Sequence, residues 1–203
     1  MLIPFKDLFK KYDMKVTGIL HVGAHLGEER AAYRELKVPK VVWVEGNPEL
    51  CRKLRRIVRD PVINAVVSDK DNEQLKFHIA NNGQSSSLLD LQHHIKEHPD
   101  VHYVRDIEVS TTRLDSLYAQ HDLSDLNLLN LDLQGVELKA LIGLGDCIKY
   151  IDYIYTEVNK KHLYAEGALV KELDRFLTDF TRVETCWTQH GWGDALYIRK
   201  NHG

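Results

Sequence analysis

Short apolar runs alternate along the chain with segments whose apolar residues recur every three or four positions. Leu2 to Tyr12 sets Phe5, Leu8, Phe9 and Tyr12 at helical spacing, so the N-terminal stretch 1–16 is expected to centre on a helix. Thr17 to Val22 is a nearly continuous apolar run, the pattern of a strand buried on both faces. Glu28 to Leu36 reads as a helix and Lys40 to Glu45 as a second strand. Asn47 and Pro48 then open a helix as N-cap and first-turn residue, with Leu50, Leu54, Ile57 and Val58 sharing one face. Val62 to Val67 is a third strand, and Gln74 to Ala80 and Val104 to Leu114 alternate as two more. Later come a strand at Leu126 to Leu131, a helix at Val136 to Leu144, a strand at Tyr150 to Val158 and a helix at Ala168 to Phe180. The strands at Arg182 to Thr188 and Ala195 to Arg199 have no helix between them, which predicts an antiparallel hairpin at one edge. Strand-helix alternation of this kind implies a mostly parallel sheet covered by helices on both faces.

Composition narrows the picture by exclusion. The 203 residues suit a single domain spanning 1–203. With 27 Lys and Arg against 30 Asp and Glu, a formal net charge of -3 speaks against a cationic nucleic-acid coat or a basic membrane-surface module. No stretch approaches the ~18–20 apolar residues of a membrane span, and Met1 to Asp7 lacks the features of a signal peptide. Cys51, Cys147 and Cys186 are odd in number and widely spaced, so they read as buried thiols of a reducing compartment. A cytoplasmic location without membrane attachment is the expectation.

In such a sheet, ligands bind beyond the carboxyl ends of the strands where strand order reverses. Four strand ends carry chemistry. The first, His21-Val22-Gly23-Ala24-His25-Leu26-Gly27, has glycines that let the backbone turn tightly against a ligand. The second, Glu45-Gly46-Asn47, places an acid about 20 positions after Gly23, the distance at which a carboxylate accepts from both hydroxyls of a ribose. The third is Ser68-Asp69, and the fourth Asp132-Leu133-Gln134-Gly135, an acid ending a very apolar strand. The glycines do not spell Gly-x-Gly-x-x-Gly, and no Gly-x-x-x-x-Gly-Lys-Ser/Thr occurs, which disfavours dinucleotides and nucleoside triphosphates. A looser glycine turn with a ribose-binding acid fits adenosine without phosphates, of which S-adenosylmethionine is the common example.

Several of these segments also resemble a known family. Gly18 to Glu29 looks like the first motif of the FkbM family of S-adenosylmethionine-dependent methyltransferases, Val42 to Pro48 its second and Ala65 to Asp69 its third. Ser85 to Leu89 resembles its serine-leucine stretch, Asn130 to Glu137 its Lys-x-Asp-x-Glu-Gly-x-Glu signature, and Tyr153 to Val158 the strand that follows. The resemblance runs from Gly18 to Arg199 and implies the class I methyltransferase Rossmann-like fold. That fold is a mostly parallel seven-stranded sheet with an antiparallel C-terminal strand and helices on both faces. It also implies O-methylation of a sugar, glycan or related small molecule, with S-adenosylhomocysteine as product. Two positions depart from the pattern: His21 stands where the family often has Asp, and Gln134 where it often has Glu. A neutral imidazole contacts a methionine amino group less well than a carboxylate does, and the loss of charge at Gln134 leaves Asp132 the stronger candidate.

The expected cofactor contacts are therefore His21, Gly23, Ala24, His25, Gly27, Glu45, Gly46, Asn47, Ser68, Asp69, Asp132, Leu133 and Gln134. A neutral hydroxyl needs a base, and Asp132, Glu157 and His25 are the candidates; Asp132 and Glu157 end successive apolar strands and so emerge at one edge. Ser85, Ser86 and Ser87 are placed over the acceptor in the variable segment 81–103, while Glu157, His162, Tyr164 and Trp192 are placed around it. No metal ligand is assigned. A divalent cation between the carboxylates is not favoured, and His94 with His98, four apart, read as a solvated linker. Arg52, Arg55, Arg56 and Arg59 form a basic stripe read as a solvated helix face. The alternatives are an RNA-modifying methyltransferase, against which the charge speaks, and a non-catalytic module binding S-adenosylmethionine. No feature specifies an oligomeric state.

Overall fold

The computed structural model describes residues 1–81, 86–89, 100, 102–162 and 167–200. Its framework is a seven-stranded sheet. Strands β1 (Ile19–Val22), β2 (Val41–Glu45) and β3 (Val62–Asn64) step outward in one direction. From the other side of β1 run β7 (Leu128–Leu131), β8 (Tyr153–Asn159), β10 (Trp192–Arg199) and β9 (Phe180–Trp187), giving the order β3-β2-β1-β7-β8-β10-β9. The first five are parallel; β10 runs antiparallel to β8 and to β9. The C-terminal hairpin therefore forms as the pattern predicts, with β10 inserted between β8 and the edge strand β9. Gly191 marks its turn, and Trp192 to Asp194, expected in the connection, belong to β10.

Period-2 alternation divides the apolar residues between two helical layers. Leu20 and Val22 of β1, with Leu129 and Leu131 of β7, pack on one face against α4 (Leu114–Gln120), α5 (Glu137–Leu144) and α6 (Val170–Phe176). Ile19, Trp43, Leu128 and Tyr155 pack on the other against α1 (Phe5–Lys11), α2 (Arg30–Glu35) and α3 (Pro48–Ile57). The continuous apolar runs of β1, β7 and β8 follow from this: every residue of those strands is buried.

Three expectations are corrected here. Val62 to Val67 is not one strand. It breaks at Ala65, whose N–H bonds the Glu45 carbonyl, and Val66–Val67 forms β4 in a separate three-stranded sheet with β6 (Tyr103–Thr112) and β5 (Gln74–Ala80), in the order β4-β6-β5. Leu114 does not end a strand; it begins α4, whose Leu114 and Leu117 enter the core. The strand expected from Tyr150 starts at Tyr153, because Gly145–Tyr150 is a turn of 3₁₀-helix. Among the described residues, no helix is long and apolar enough to cross a membrane.

Candidate active site

Strand order reverses between β1 and β7, and the carboxyl ends of β1, β2, β7 and β8 meet the start of β10 at one edge of the sheet. Asp132 N–H bonds the Val22 carbonyl, and the chain leaving β7 passes directly under Gly23. A Cβ on Gly23 would overlap the Asp132 carbonyl oxygen, and its φ of 87° lies in the left-handed region, so only glycine fits. Beside this close approach lies a cleft enclosing about 530 Å3, its mouth included. Glu45, His25 and Asp132 give its polar lining, and Val66, Val67, Phe77, Leu88 and Leu133 its apolar walls.

Glu45 is buried and fixed by the backbone on both sides: Oε2 accepts from His25 N at 2.7 Å, and Oε1 from Asn47 N at 2.7 Å. A carboxylate has about four lone-pair positions, so each oxygen keeps one for a ligand hydroxyl. Burial raises its carboxyl above the ordinary value, and the two amides oppose that rise. Asn47 caps α3 as the sequence predicts, its Oδ1 accepting from Glu49 N at 2.9 Å with Pro48 in the first turn. His25 adopts a φ of 45°, which turns its N–H onto Glu45, while its Nδ1 lies 2.6 Å from Glu28 Oε1. Burial pulls the imidazolium down, but that bond and the charges of Glu28, Glu45 and Asp132 outweigh it and hold the pKa above the ordinary value.

The second half of the site is a bridge of carboxylates and amides. Gln134 Nε2 donates to Asp132 Oδ1 at 2.6 Å and to Glu157 Oε2 at 3.2 Å, and Asn159 Nδ2 donates to Glu157 Oε1 at 3.1 Å. Burial raises the Glu157 carboxyl well above the usual range, with Asp132 and Glu137 adding to the rise. Asp132 opens onto the cleft, yet the protein around it removes hydration and raises its carboxyl also, opposed by Gln134. Glu137 underlies the turn: its carboxylate accepts from Leu133 N and Gly135 N, and burial pushes it up to about 7. Ser87 clasps the same turn from above through Oγ–H to the Gln134 carbonyl at 3.0 Å. Among the described residues, no group of three or more His, Cys, Asp or Glu is arranged to hold a metal ion.

Of the residues singled out in the sequence, the cleft gathers Gly23, His25, Glu45, Gly46, Ser86, Asp132 and Leu133, and Gln134 and Glu157 adjoin it. Ala24 and Gly27 support it from behind, Ala24 in the core and Gly27 pressed on Leu54. Ser68 and Asp69 lie past its lining; Ser68 Oγ bonds Asp69 at 3.1 Å, and the Ser68 carbonyl fits against Gly143 of α5. His21 points to the other face of the sheet. There it is buried beside Trp43, within reach of Tyr33 Oη at 3.1 Å and Asn130 Nδ2 at 3.2 Å, and burial lowers its pKa to about 3. Exposed His162 donates from Nδ1 to the Gly167 carbonyl. Trp192 packs with Leu88, Leu89, Leu133 and Val136. Ser85 and Tyr164, like His94 and His98, lie outside the described residues. Sequence reasoning passed over Glu137 and Phe77. Glu137 closes the signature quoted for its resemblance, and Phe77 is an apolar member of an alternating strand.

Comparison with known proteins adds the family. A model described as the methyltransferase FkbM domain matches residues 21–184. The chain belongs to the FkbM methyltransferase family. The stretch matched by the FkbM model holds Gly23, Glu45, Asp132, Gln134 and Glu157 and leaves Trp192 outside it. A curated relative, the 2-O-methyltransferase NoeI of Sinorhizobium fredii, is 27% identical over 164 residues. That alignment takes in 74% of this chain and 66% of the relative, just under two thirds of its length. Among solved structures, an S-adenosylmethionine-dependent methyltransferase from Clostridium acetobutylicum superposes with a TM-score of 0.55 at 5% identity, covering 97% of this chain and 89% of its own. A protein of the NADB-Rossmann superfamily from Streptococcus agalactiae gives 0.54 at 12% identity, covering 100% and 71%. These likenesses establish a Rossmann-like methyltransferase fold for this FkbM chain.

Proposed function

We propose that the protein is an S-adenosylmethionine-dependent O-methyltransferase acting on a hydroxyl of a sugar, a glycan or a related small molecule. The observation that carries this reading is the junction of two half-sites: the cleft holding Glu45 opens onto the bonded group Asp132, Gln134 and Glu157. The residues fit the cofactor. Glu45, held by two backbone amides, keeps lone pairs for both ribose hydroxyls, and Phe77, Val66 and Leu88 offer an apolar slot for a base. The missing side chain at Gly23 lets the chain leaving β7 close up against it at the base of the cleft. When bound, S-adenosylmethionine supplies an electrophilic methyl group carried on a sulfonium.

The chain's own work is to place a hydroxyl and accept its proton. Asp132 has one oxygen committed to Gln134 and the other without a hydrogen bond among the described residues, and its raised carboxyl makes it a stronger base than an ordinary aspartate. Burial and the neighbouring carboxyls raise Glu157 well above the usual range, and Gln134 donates to it as well as to Asp132. His25, already bonded to Glu28, is a poorer base and serves to orient Glu45. The apolar lip of Leu88, Leu89, Val136 and Trp192 suits the apolar face of a sugar ring. A hydroxyl acceptor is further supported by the 2-O-methyltransferase relative. The thiols at Cys51, Cys147 and Cys186 are free, though only Cys51 is buried while Cys147 is half-buried and Cys186 exposed, and they support a reducing, cytoplasmic setting.

A radiolabelled methyl-transfer screen over glycans, nucleotide sugars and RNA, run beside Asp132→Asn, tests the proposal. Incorporation into saccharide, lost in the variant, supports it; incorporation into RNA alone overturns the acceptor class.

A further inference from the structure

The cleft is not the only cavity in the described residues. On the opposite face of the sheet, α2 and the end of α3 flank a groove enclosing about 1010 Å3, its mouth included. Arg30 and Arg34, four apart on α2, line it on one side, and Arg59 joins them from the segment after α3. Asp60 is the one carboxylate in the lining, so three guanidinium charges face a single negative one. Arg30 Nη1 donates to the Gly27 carbonyl at 2.8 Å, which orients that group and leaves four of its five N–H donors unused. Among the described residues, Arg34 and Arg59 have no carboxylate partner. Beneath them lies Trp43, fully buried, whose indole N–H lacks a hydrogen-bond partner among the described residues. A buried indole donor usually finds one.

Three arginines lining one groove against a single carboxylate, a residual charge of two, match one ligand chemistry. Arginine forks pair with tetrahedral oxyanions bidentately, and a phosphate monoester is close to a dianion at neutral pH. We propose that this groove binds the phosphate group of a small phosphorylated molecule, at a site separate from the cleft. Val22, Gly23 and Asp132 line the cleft, whereas Tyr33 and Trp43 line the groove, so a ligand here lies across the sheet from the reacting group. The inference stands apart from the reading of the cleft and does not need it.

The test is calorimetric titration of the full chain at low salt with inorganic pyrophosphate, glucose 1-phosphate and ADP. It is repeated on the double variant Arg34→Gln with Arg59→Gln, two exposed positions outside the proposed catalytic machinery. A thermal melt of the variant checks its fold. Binding of at least one probe, weakened about tenfold or more in the double variant and by added salt, is the expected result. The tightest probe then names the source of the phosphate: pyrophosphate an inorganic ion, glucose 1-phosphate a sugar ester, ADP a nucleotide. No heat with any probe at millimolar concentration overturns the proposal. So does binding that ignores the two substitutions, or capture of an RNA oligomer with no binding of the small phosphates.

Discussion

Gln134 lies between two carboxylates and donates to both, at 2.6 Å to Asp132 and 3.2 Å to Glu157. Where the resembled family often carries Glu, this chain carries the one side chain of the same length that turns a third negative charge into a pair of N–H donors. The amide lets Asp132 and Glu157 share a small volume without both being driven to protonate.

Replacing Gln134 by Glu is therefore expected to raise both neighbouring carboxyls further, since a like charge disfavours ionisation. Asp132 then holds its proton to higher pH than in the wild type. Methyl transfer at pH 7 should fall about tenfold or more and recover as pH rises, within the range of general-base effects. An unchanged pH-rate profile would show that Gln134 does not tune the pair.

Gly23→Ala tests the close approach of the segments that leave β1 and β7. The added methyl overlaps the Asp132 carbonyl at a φ of 87°, so strain and steric overlap act together. Such backbone strain costs on the order of 1–3 kcal/mol before the overlap is counted. Thermal unfolding should show a fall of several degrees or more, together with loss of cofactor binding.

Glu137 sets a pH dependence of stability. Its folded pKa of about 7 lies above the ordinary ~4.3 of an unfolded Glu, so the folded chain holds the proton more tightly. Its contribution is complete below the unfolded value, declines as pH rises toward about 7, and is level above that. Glu137→Gln, which keeps an acceptor for Leu133 and Gly135, should flatten this part of the stability curve measured by urea unfolding. Glu137→Ala instead strands two N–H groups, at about 1–3 kcal/mol for each buried donor.

His25 separates backbone from side-chain roles. Its amide, not its imidazole, fixes Glu45, while the imidazole is tied to Glu28. His25→Asn, an allowed residue at a φ of 45°, should keep kcat within about tenfold of wild type, whereas Asp132→Asn should lose about a hundredfold or more. Equal losses in the two variants would move base duty to the imidazole.

Much of this arrangement was legible in the chain. Continuous apolar runs announced β1, β7 and β8 because both faces of those strands are covered, and Asn47-Pro48 announced α3 because cap chemistry is local. Glu45 and Asp132 followed from strand ends and spacing. The break at Ala65 left no trace because Val62, Ile63, Val66 and Val67 all pack against apolar neighbours, though in two different sheets. α4 was hidden because its first residue, Leu114, is an apolar residue only two positions past the end of β6 and reads as part of the same run. His21 looked like part of the glycine turn from its position, yet alternation along β1 turns it away from Val22 and the cleft. Ser87 looked like an acceptor contact, but its hydroxyl is taken by the Gln134 carbonyl, a pairing 47 residues apart that no local pattern carries.

In the function proposed above, Glu45 and its two amide anchors hold the ribose of S-adenosylmethionine. Calorimetric titration of that cofactor into the wild-type chain and into Glu45→Gln measures it directly. The account predicts saturable binding by the wild type, weakened by about tenfold or more in the variant, which loses a charged acceptor for the hydroxyls and strands one backbone N–H. Wild-type protein that takes up no cofactor at high micromolar concentration, or a variant that binds as tightly as wild type, would contradict it.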